Sequence, residues 1–64
     1  MYQGIVKTID YREGKGYIQE FDDFRIMFLL SSVVGTAVLE EDKVSYDVVQ
    51  SPTRQAVKVS KIVS

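Results

Sequence analysis

Apolar and polar residues alternate with a period of two along most of this chain, and turn-forming residues interrupt the alternation. A period of two places successive side chains on opposite faces of a β-strand, so the pattern predicts strands rather than helices. In one of these segments Val44, Tyr46 and Val48 share a face. Five short strands are predicted, over residues 4–9, 15–20, 25–30, 43–49 and 56–63, and the first four residues of the fifth alternate.

Turns and one irregular segment separate the predicted strands. Residues 10–14 are polar and end in a glycine, and Asp22 and Asp23 are interpreted as a short hairpin connection. Residues 51–54 form a predicted turn, because Pro52 cannot donate a hydrogen bond to a strand ladder. Residues 31–42 are longer and irregular, and one turn of helix is expected after Ser31-Ser32.

Five short strands without a long helix cannot bury both faces of an open sheet. Closing the sheet removes its exposed edges and builds one core. We therefore predict an all-β fold: a small five-stranded antiparallel Greek-key barrel that forms one domain over residues 1–64. The OB-fold is the favoured barrel with this number of strands, and SH3-like barrels are the main competitor.

The composition limits how such a barrel is stabilised. A chain of 64 residues has a small core, and this one contains no cysteine and no histidine. Disulfides and the usual zinc sites are therefore excluded, and a stability of about 3–5 kcal/mol is expected. The acidic runs Asp22-Asp23 and Glu40-Glu41-Asp42 lack the spacing of a calcium loop, so they are interpreted as solvated turns and no metal site is predicted.

Several function classes are disfavoured by the same composition. The longest apolar run is five residues, from Ile26 to Leu30, far short of the ~20 that span a membrane. The N-terminus lacks the layout of an export signal, so a cytoplasmic location is expected. No nucleophile–base pair is evident, and we predict no enzyme activity, no catalytic residue and no cofactor. The overall net charge of −1 mildly disfavours nucleic-acid binding, although a local patch of the surface can be basic.

Five segments of the chain carry a family resemblance. They read GIVKTID (4–10), EGKGYI (13–18), IMFLLS (26–31), LEED (39–42) and QAVKV (55–59). These segments resemble G-x-V-K-W-F-N, K-G-F-G-F-I, V-F-V-H-F-S, L-E-E-G and Q-A-x-N-V of the bacterial cold-shock proteins. The resemblance implies an OB-fold of the cold-shock-domain type over essentially the whole chain.

The departures from that family are concentrated at one functional surface. In the family, aromatic residues on the first three strands form a platform on which unpaired bases stack. Only Tyr17 is aromatic among the corresponding positions here, and Glu13 reverses the charge of a family lysine. The family's tryptophan, three phenylalanines, histidine and last phenylalanine are replaced by Thr8, Lys15, Tyr17, Met27, Leu29 and Leu30 in chain order.

Period-two alternation assigns these positions to faces. If Ile18, Ile26 and Phe28 form the core, then Tyr17, Met27 and Leu29 point outward. Such a contiguous apolar patch is typical of an interaction site. Away from it, Tyr2 and Tyr46 are predicted to pack through their rings and keep their hydroxyls in water.

Three interpretations of the patch remain open. The resemblance implies weak binding of single-stranded RNA or DNA with low sequence specificity. Alternatively, Met27, Leu29 and Leu30 contact a protein partner or a second copy in a homodimer, or loops cover the patch as part of the core. The candidate nucleic-acid-binding residues are Lys7, Thr8, Lys15, Tyr17, Met27, Leu29, Leu30 and Arg54, with Tyr11 and Arg12 as further candidates.

Overall fold

The computed structural model describes residues 2–20, 24–50 and 53–62. These described residues form five strands and one short 3-10 helix. In chain order these are β1 (Tyr2–Asp10), β2 (Lys15–Gln19), β3 (Arg25–Leu29), the 3-10 helix (Leu30–Ser32), β4 (Lys43–Gln50) and β5 (Arg54–Lys61). A single helical turn is therefore present, but it spans Leu30–Ser32 instead of following Ser31-Ser32 as expected.

The strands close into a barrel in the order β1-β2-β3-β5-β4. Four of the strand contacts, β1 with β2, β1 with β4, β2 with β3 and β4 with β5, are antiparallel. The barrel is closed by a short parallel contact in which Met27 and Phe28 of β3 lie opposite Gln55 and Ala56 of β5. The predicted five-stranded OB-type barrel is confirmed, with this one parallel contact added.

The core comes from the inward positions of all five strands. Ile18, Ile26 and Phe28 are buried as the alternation predicts, and Val48 packs against the core from a half-buried position. The buried apolar set is Val6, Ile18, Ile26, Phe28, Val38, Val44, Tyr46, Ala56 and Val59. Val38 is contributed by the irregular segment after the 3-10 helix, which closes over one side of the barrel.

Two β-bulges change the simple alternation. Lys7 is an extra residue in β1, since Val6 lies opposite Ile18 and Thr8 lies opposite Tyr17. The bulge turns Thr8 outward although Val6, two residues earlier, points into the core.

The second bulge lies in β5. Ser45 of β4 lies opposite Ser60 of β5, and Asp47 lies opposite Val57. Between these two pairs β4 has one residue, Tyr46, whereas β5 has two, Lys58 and Val59. Lys58 adopts a left-handed conformation with φ of 52°. Ala56 and Val59 both point inward as a result, so the predicted clean alternation at the start of the fifth strand is wrong.

The strand boundaries differ modestly from those predicted. β1 is longer at both ends, and β5 begins at Arg54, which the sequence pattern assigned to a turn. The predicted hairpin at Asp22 and Asp23 lies outside the described residues, as do Ser51, Pro52 and Val63.

Two positions at β2 require glycine for identifiable structural reasons. Gly14 ends the β1–β2 turn with φ of 72°, a conformation that side chains with a Cβ rarely adopt. Gly16 faces the barrel interior, where an added Cβ would lie 2.6 Å from the Thr8 carbonyl oxygen and 2.8 Å from the Phe28 ring. The turn predicted over residues 10–14 is present, and Gly16 allows the close approach of β1 and the Phe28 ring.

Candidate nucleic-acid interface

The outward residues of the first three strands form a regular array. Its central row is Thr8 on β1, Tyr17 on β2 and Met27 on β3, because Thr8 lies opposite Tyr17 and Tyr17 lies opposite Met27. Gln55 on β5 extends this row beyond Met27. Three residues predicted from the resemblance are thus brought side by side.

Two further rows flank the central one. The Lys15 row consists of Asp10, Lys15 and Leu29, and the Arg25 row consists of Ile5, Gln19 and Arg25. Rows two residues apart along a strand are separated by about 7 Å. We call these nine residues the β1–β3 face.

The apolar part of the β1–β3 face is accessible to solvent. Tyr17 and Leu29 are each 37% exposed, and Met27 is half-buried between them and β5. The interpretation in which loops cover the patch therefore does not hold for Tyr17 and Leu29. A single aromatic ring lies at the centre of the face, with apolar side chains beside it.

Lys7 lies next to this face but is already engaged. Its Nζ atom is 3.3 Å from Oε2 of Glu41. The backbone of Glu41 is held at the bulge, since its N–H donates to the Val6 carbonyl over 2.7 Å. A ligand phosphate would compete with Glu41 for the Lys7 ammonium group.

Arg54 is directed to a different part of the barrel. Its guanidinium forms two hydrogen bonds to Glu20, from Nη1 to Oε1 over 2.9 Å and from Nη2 to Oε2 over 3.1 Å. Arg54 and inward-pointing Ala56 lie two residues apart on β5, and Gln55 between them is the residue beside Met27. Period-two geometry thus separates Arg54 from the central row.

Glu20 is the acceptor of a cluster that also includes Tyr46. The Tyr46 hydroxyl donates to Oε2 of Glu20 over 2.6 Å, so the prediction of a water-exposed hydroxyl at Tyr46 is wrong. The Glu20 side chain is only 7% exposed. We call Glu20, Tyr46 and Arg54 the Glu20 cluster.

The electrostatics of the Glu20 cluster follow from these contacts. The hydrogen bonds from Arg54 lower the pKa of the Glu20 carboxyl, and they outweigh the opposing effect of burial. Burial and the neighbouring Glu20 raise the pKa of Tyr46, while the hydrogen bond to Glu20 raises that of Arg54. The cluster therefore holds an ionised carboxylate, a neutral phenol and a charged guanidinium.

Tyr2 covers the outer side of this cluster. Its ring stacks on the Tyr46 ring with centroids 5.8 Å apart, and the Arg54 guanidinium carbon lies 6.0 Å from the Tyr2 centroid. Sequence reasoning did not single out Glu20. Its position two residues after inward-pointing Ile18 was the available signal, because an acidic side chain at an inward position requires a partner.

Leu30 is separated from the β1–β3 face by the start of the 3-10 helix. It packs against the core and lines an apolar cavity of about 310 Å³ together with Tyr11, Val38 and Leu39. Tyr11 lies in the β1–β2 turn and is exposed, as is Arg12. These residues border the Lys15 row rather than forming part of it.

Comparison with known proteins identifies the type of barrel. No family model matches the sequence, and no curated protein matches it. Among solved structures, the chain is similar to the Drosophila cold-shock-domain structure titled "drosophila Unr CSD456", with a TM-score of 0.83 and 23% sequence identity. The similarity covers 97% of this chain and 26% of that one. The fold is that of a cold-shock domain.

This fold places three antiparallel strands side by side with their outward residues in register. Lys15 and Arg25, in the two outer rows of the β1–β3 face, form no ion pair with another described residue. Over residues 2–20, 24–50 and 53–62 no cluster of three or more metal-ligating side chains is found. The same residues contain no helix that is long and apolar enough to cross a membrane.

Proposed function

We propose that this protein binds single-stranded RNA or DNA through the β1–β3 face, weakly and with little sequence preference. It acts as a binding module rather than as an enzyme. The observation that carries the proposal is the position of Tyr17, an exposed ring at the centre of three registered strands with Met27 and Lys15 around it.

Stacking on Tyr17 supplies the central contact. The stacking of a base on an aromatic side chain contributes about 1–3 kcal/mol and is tolerant of sequence, because every base has a π-face. Met27 and Leu29 lie on the adjacent strand and provide apolar cover for neighbouring bases. One ring and two aliphatic side chains give less affinity than a platform of several rings.

Phosphate contacts supply the second contribution. The ammonium group of Lys15 projects from the same strand as Tyr17, two residues away, and has no carboxylate partner among the described residues. Lys7 is a conditional contributor, because it must first leave Glu41. Arg54 acts instead in the Glu20 cluster, where its charge is neutralised.

The expected affinity follows from these few contacts. Binding dominated by phosphate contacts has a dissociation constant on the order of 10⁻⁴ to 10⁻⁶ M at physiological salt. The near-neutral charge of the chain adds no long-range attraction. A value toward the weak end of that range is expected.

Fluorescence anisotropy of a labelled pyrimidine-rich single strand tests the proposal. The titration is made at about 50 mM and about 200 mM salt with the parent and with Tyr17→Leu, which keeps an apolar side chain and removes the ring. Binding that weakens with salt and falls at least several-fold in Tyr17→Leu supports stacking on this face.

Flat anisotropy at low salt would overturn the proposal. The exposed pair of Tyr17 and Leu29 would then be assigned to a protein contact, such as a homodimer. Sedimentation of the parent and of Leu29→Lys distinguishes this outcome, since a charge on an apolar interface dissociates the complex while the barrel stays folded.

A further inference from the structure

Arg25 lies at one corner of the β1–β3 face, in the row on the far side of Tyr17 from Lys15. Antiparallel pairing of β2 and β3 puts Arg25 beside Gln19 and Leu29 beside Lys15, with the pair Tyr17–Met27 midway between them. The Arg25 side chain is exposed at the start of β3. The face therefore presents one cation on each side of its single ring.

The spacing of these two cations suits a ligand that carries charge on both sides of a stacked group. Lys15 and Gln19 are four residues apart on β2, which corresponds to about 13 Å, and the neighbouring strand is about 4.8 Å away. The Cα atoms of Lys15 and Arg25 are thus separated by about 14 Å, with Tyr17 near the midpoint. Long flexible side chains at both ends can reach inward toward the ring.

The ion pairs of the barrel do not involve either cation of the β1–β3 face. Lys7, Lys61 and Arg54 are each within 4 Å of a carboxylate, at 3.3, 3.6 and 2.9 Å respectively. Within the described part of the chain, five cations have no such partner: Arg12, Lys15, Arg25, Lys43 and Lys58. Of these, only Lys15 and Arg25 belong to the β1–β3 face, and no ion pair with a described residue has to break before they bind a ligand.

We propose that Arg25 is a second phosphate-binding residue of this face, and that a single strand runs along β2 and β3 with one base on Tyr17. Lys15 and Arg25 then bind phosphates on the two sides of that base. This inference rests on the proposed function and adds to it the path of the strand. The guanidinium fork suits phosphate oxygens, with which it forms paired hydrogen bonds.

The experiment compares Arg25→Gln with Lys58→Gln by anisotropy over a series of salt concentrations, using a labelled oligothymidine. Both variants remove one positive charge from an exposed strand residue. Lys58 is on β5, which runs parallel to β3 with Gln55 beside Met27. In this register Lys58 lies about five residues, or about 17 Å, beyond the level of Arg25. Arg25→Lys is included because it keeps the charge.

Loss of one phosphate contact has a defined signature. Arg25→Gln is expected to raise the dissociation constant about 3- to 10-fold at about 50 mM salt and to reduce the slope of log K against log salt by about 0.7. Lys58→Gln is expected to leave the slope unchanged, and Arg25→Lys to restore it. Circular dichroism verifies that each variant is folded.

Two outcomes would overturn the inference in distinguishable ways. If the parent binds, Tyr17→Leu weakens binding, and Arg25→Gln behaves like Lys58→Gln, then Arg25 makes no phosphate contact while the proposed function stands. If the parent itself gives flat anisotropy, the proposed function fails and the inference fails with it.

Discussion

The Tyr46 hydroxyl donates a 2.6 Å hydrogen bond to the nearly buried carboxylate of Glu20, and this bond joins the end of β2 to the middle of β4. Arg54 of β5 binds the same carboxylate through both of its terminal nitrogens. A chain of 64 residues without disulfides thus fastens three strands at a single polar centre. The face that we propose for nucleic acid lies on the outside of β1, β2 and β3 and does not use this cluster.

Removing one member of the Glu20 cluster should destabilise the fold more than removing an exposed ion pair. Arg54→Gln leaves a nearly buried carboxylate with one hydrogen-bond donor, and we expect the free energy of unfolding to fall by about 2–3 kcal/mol. Tyr46→Phe should lower it by about 1–2 kcal/mol. Glu41→Gln, which removes the exposed partner of Lys7, is the matched control and should change it by less than about 1 kcal/mol.

Urea denaturation measures these three values, and Glu20→Gln together with the double variant Glu20→Gln/Arg54→Gln completes a cycle. The double variant should lose less stability than the sum of its single changes, because the two residues share one interaction. Additive losses would contradict the cluster as described.

Stability should also decline in acid through Glu20. The pKa of this carboxyl is lowered in the folded state by Arg54 and Tyr46, so the folded state favours the ionised form more strongly than the unfolded chain does. The resulting stabilisation is complete above the unfolded pKa of about 4.3 and is lost as pH falls through the folded pKa. Glu20→Gln should therefore be less stable than the parent at neutral pH, and the difference should shrink below about pH 4.

Thermal unfolding of both proteins across the acid range provides the measurement. The difference between parent and variant isolates the contribution of Glu20, because both proteins contain all the other carboxylates. A difference that stays constant through the acid range would argue against an ionised Glu20 in the fold.

The bulge at Lys58 offers a change that should stabilise the protein. A residue with a Cβ at φ of 52° carries a strain of about 1–2 kcal/mol relative to the right-handed region. Lys58→Gly should raise the free energy of unfolding by about 0.5–1 kcal/mol, after the entropy of the more flexible unfolded chain is subtracted. Gly14→Ala is the converse control, since φ is 72° there and no atom lies within 4 Å of an added Cβ.

Gly14→Ala should lower the free energy of unfolding by about 1 kcal/mol for conformational reasons alone. Equilibrium denaturation of the two variants checks both signs. A loss of stability in Lys58→Gly would show that the lysine side chain contributes more at this position than its strained backbone removes.

Much of the fold could be predicted from the sequence because period two and turn residues determine strands locally. Alternation puts Ile18, Ile26 and Phe28 on the face opposite to Tyr17, Met27 and Leu29, and the resemblance favours that face as the core. All three residues are buried. Alternation fails where a bulge inserts a residue, as at Lys58, since no local pattern reports a left-handed residue that is not glycine. The parallel contact of β3 with β5 is set by closure of the whole barrel and has no local signature.

The candidate site was predictable in part for the same reason. Tyr17 and Met27 are neighbours because adjacent strands are in register, and sequence alternation gave each the correct face. Arg54 was assigned to the site by resemblance, but its side chain binds Glu20, a contact between residues 34 apart in the chain. Alternation also puts Arg25 on the same face as Met27 and Leu29, but only the pairing register reveals its position relative to Lys15.

Adding a ring beside Tyr17 should strengthen binding. Lys15→Phe removes one phosphate contact and adds a stacking surface worth about 1–3 kcal/mol per base. We expect tighter binding at about 200 mM salt, where phosphate contacts contribute least, and a shallower dependence on salt. Lys15→Gln is the matched variant that removes the charge without adding the ring, and it should bind more weakly than the parent.

Anisotropy titrations of the two variants and the parent give this comparison. Equal affinities for Lys15→Phe and Lys15→Gln would mean that a ring at this position does not meet a base, and the stacking part of the account would be wrong.

The most direct test of the central claim is a backbone amide NMR titration of the protein with a short pyrimidine-rich single strand. The account predicts that shifts concentrate on the β1–β3 face, at Thr8, Tyr17 and Met27, and extend toward Arg25. The amide signals of residues near Lys58 should not shift. Shifts confined to β4 and β5, or no shifts at ligand concentrations above about 10⁻⁴ M, would contradict the assignment of nucleic-acid binding to this face.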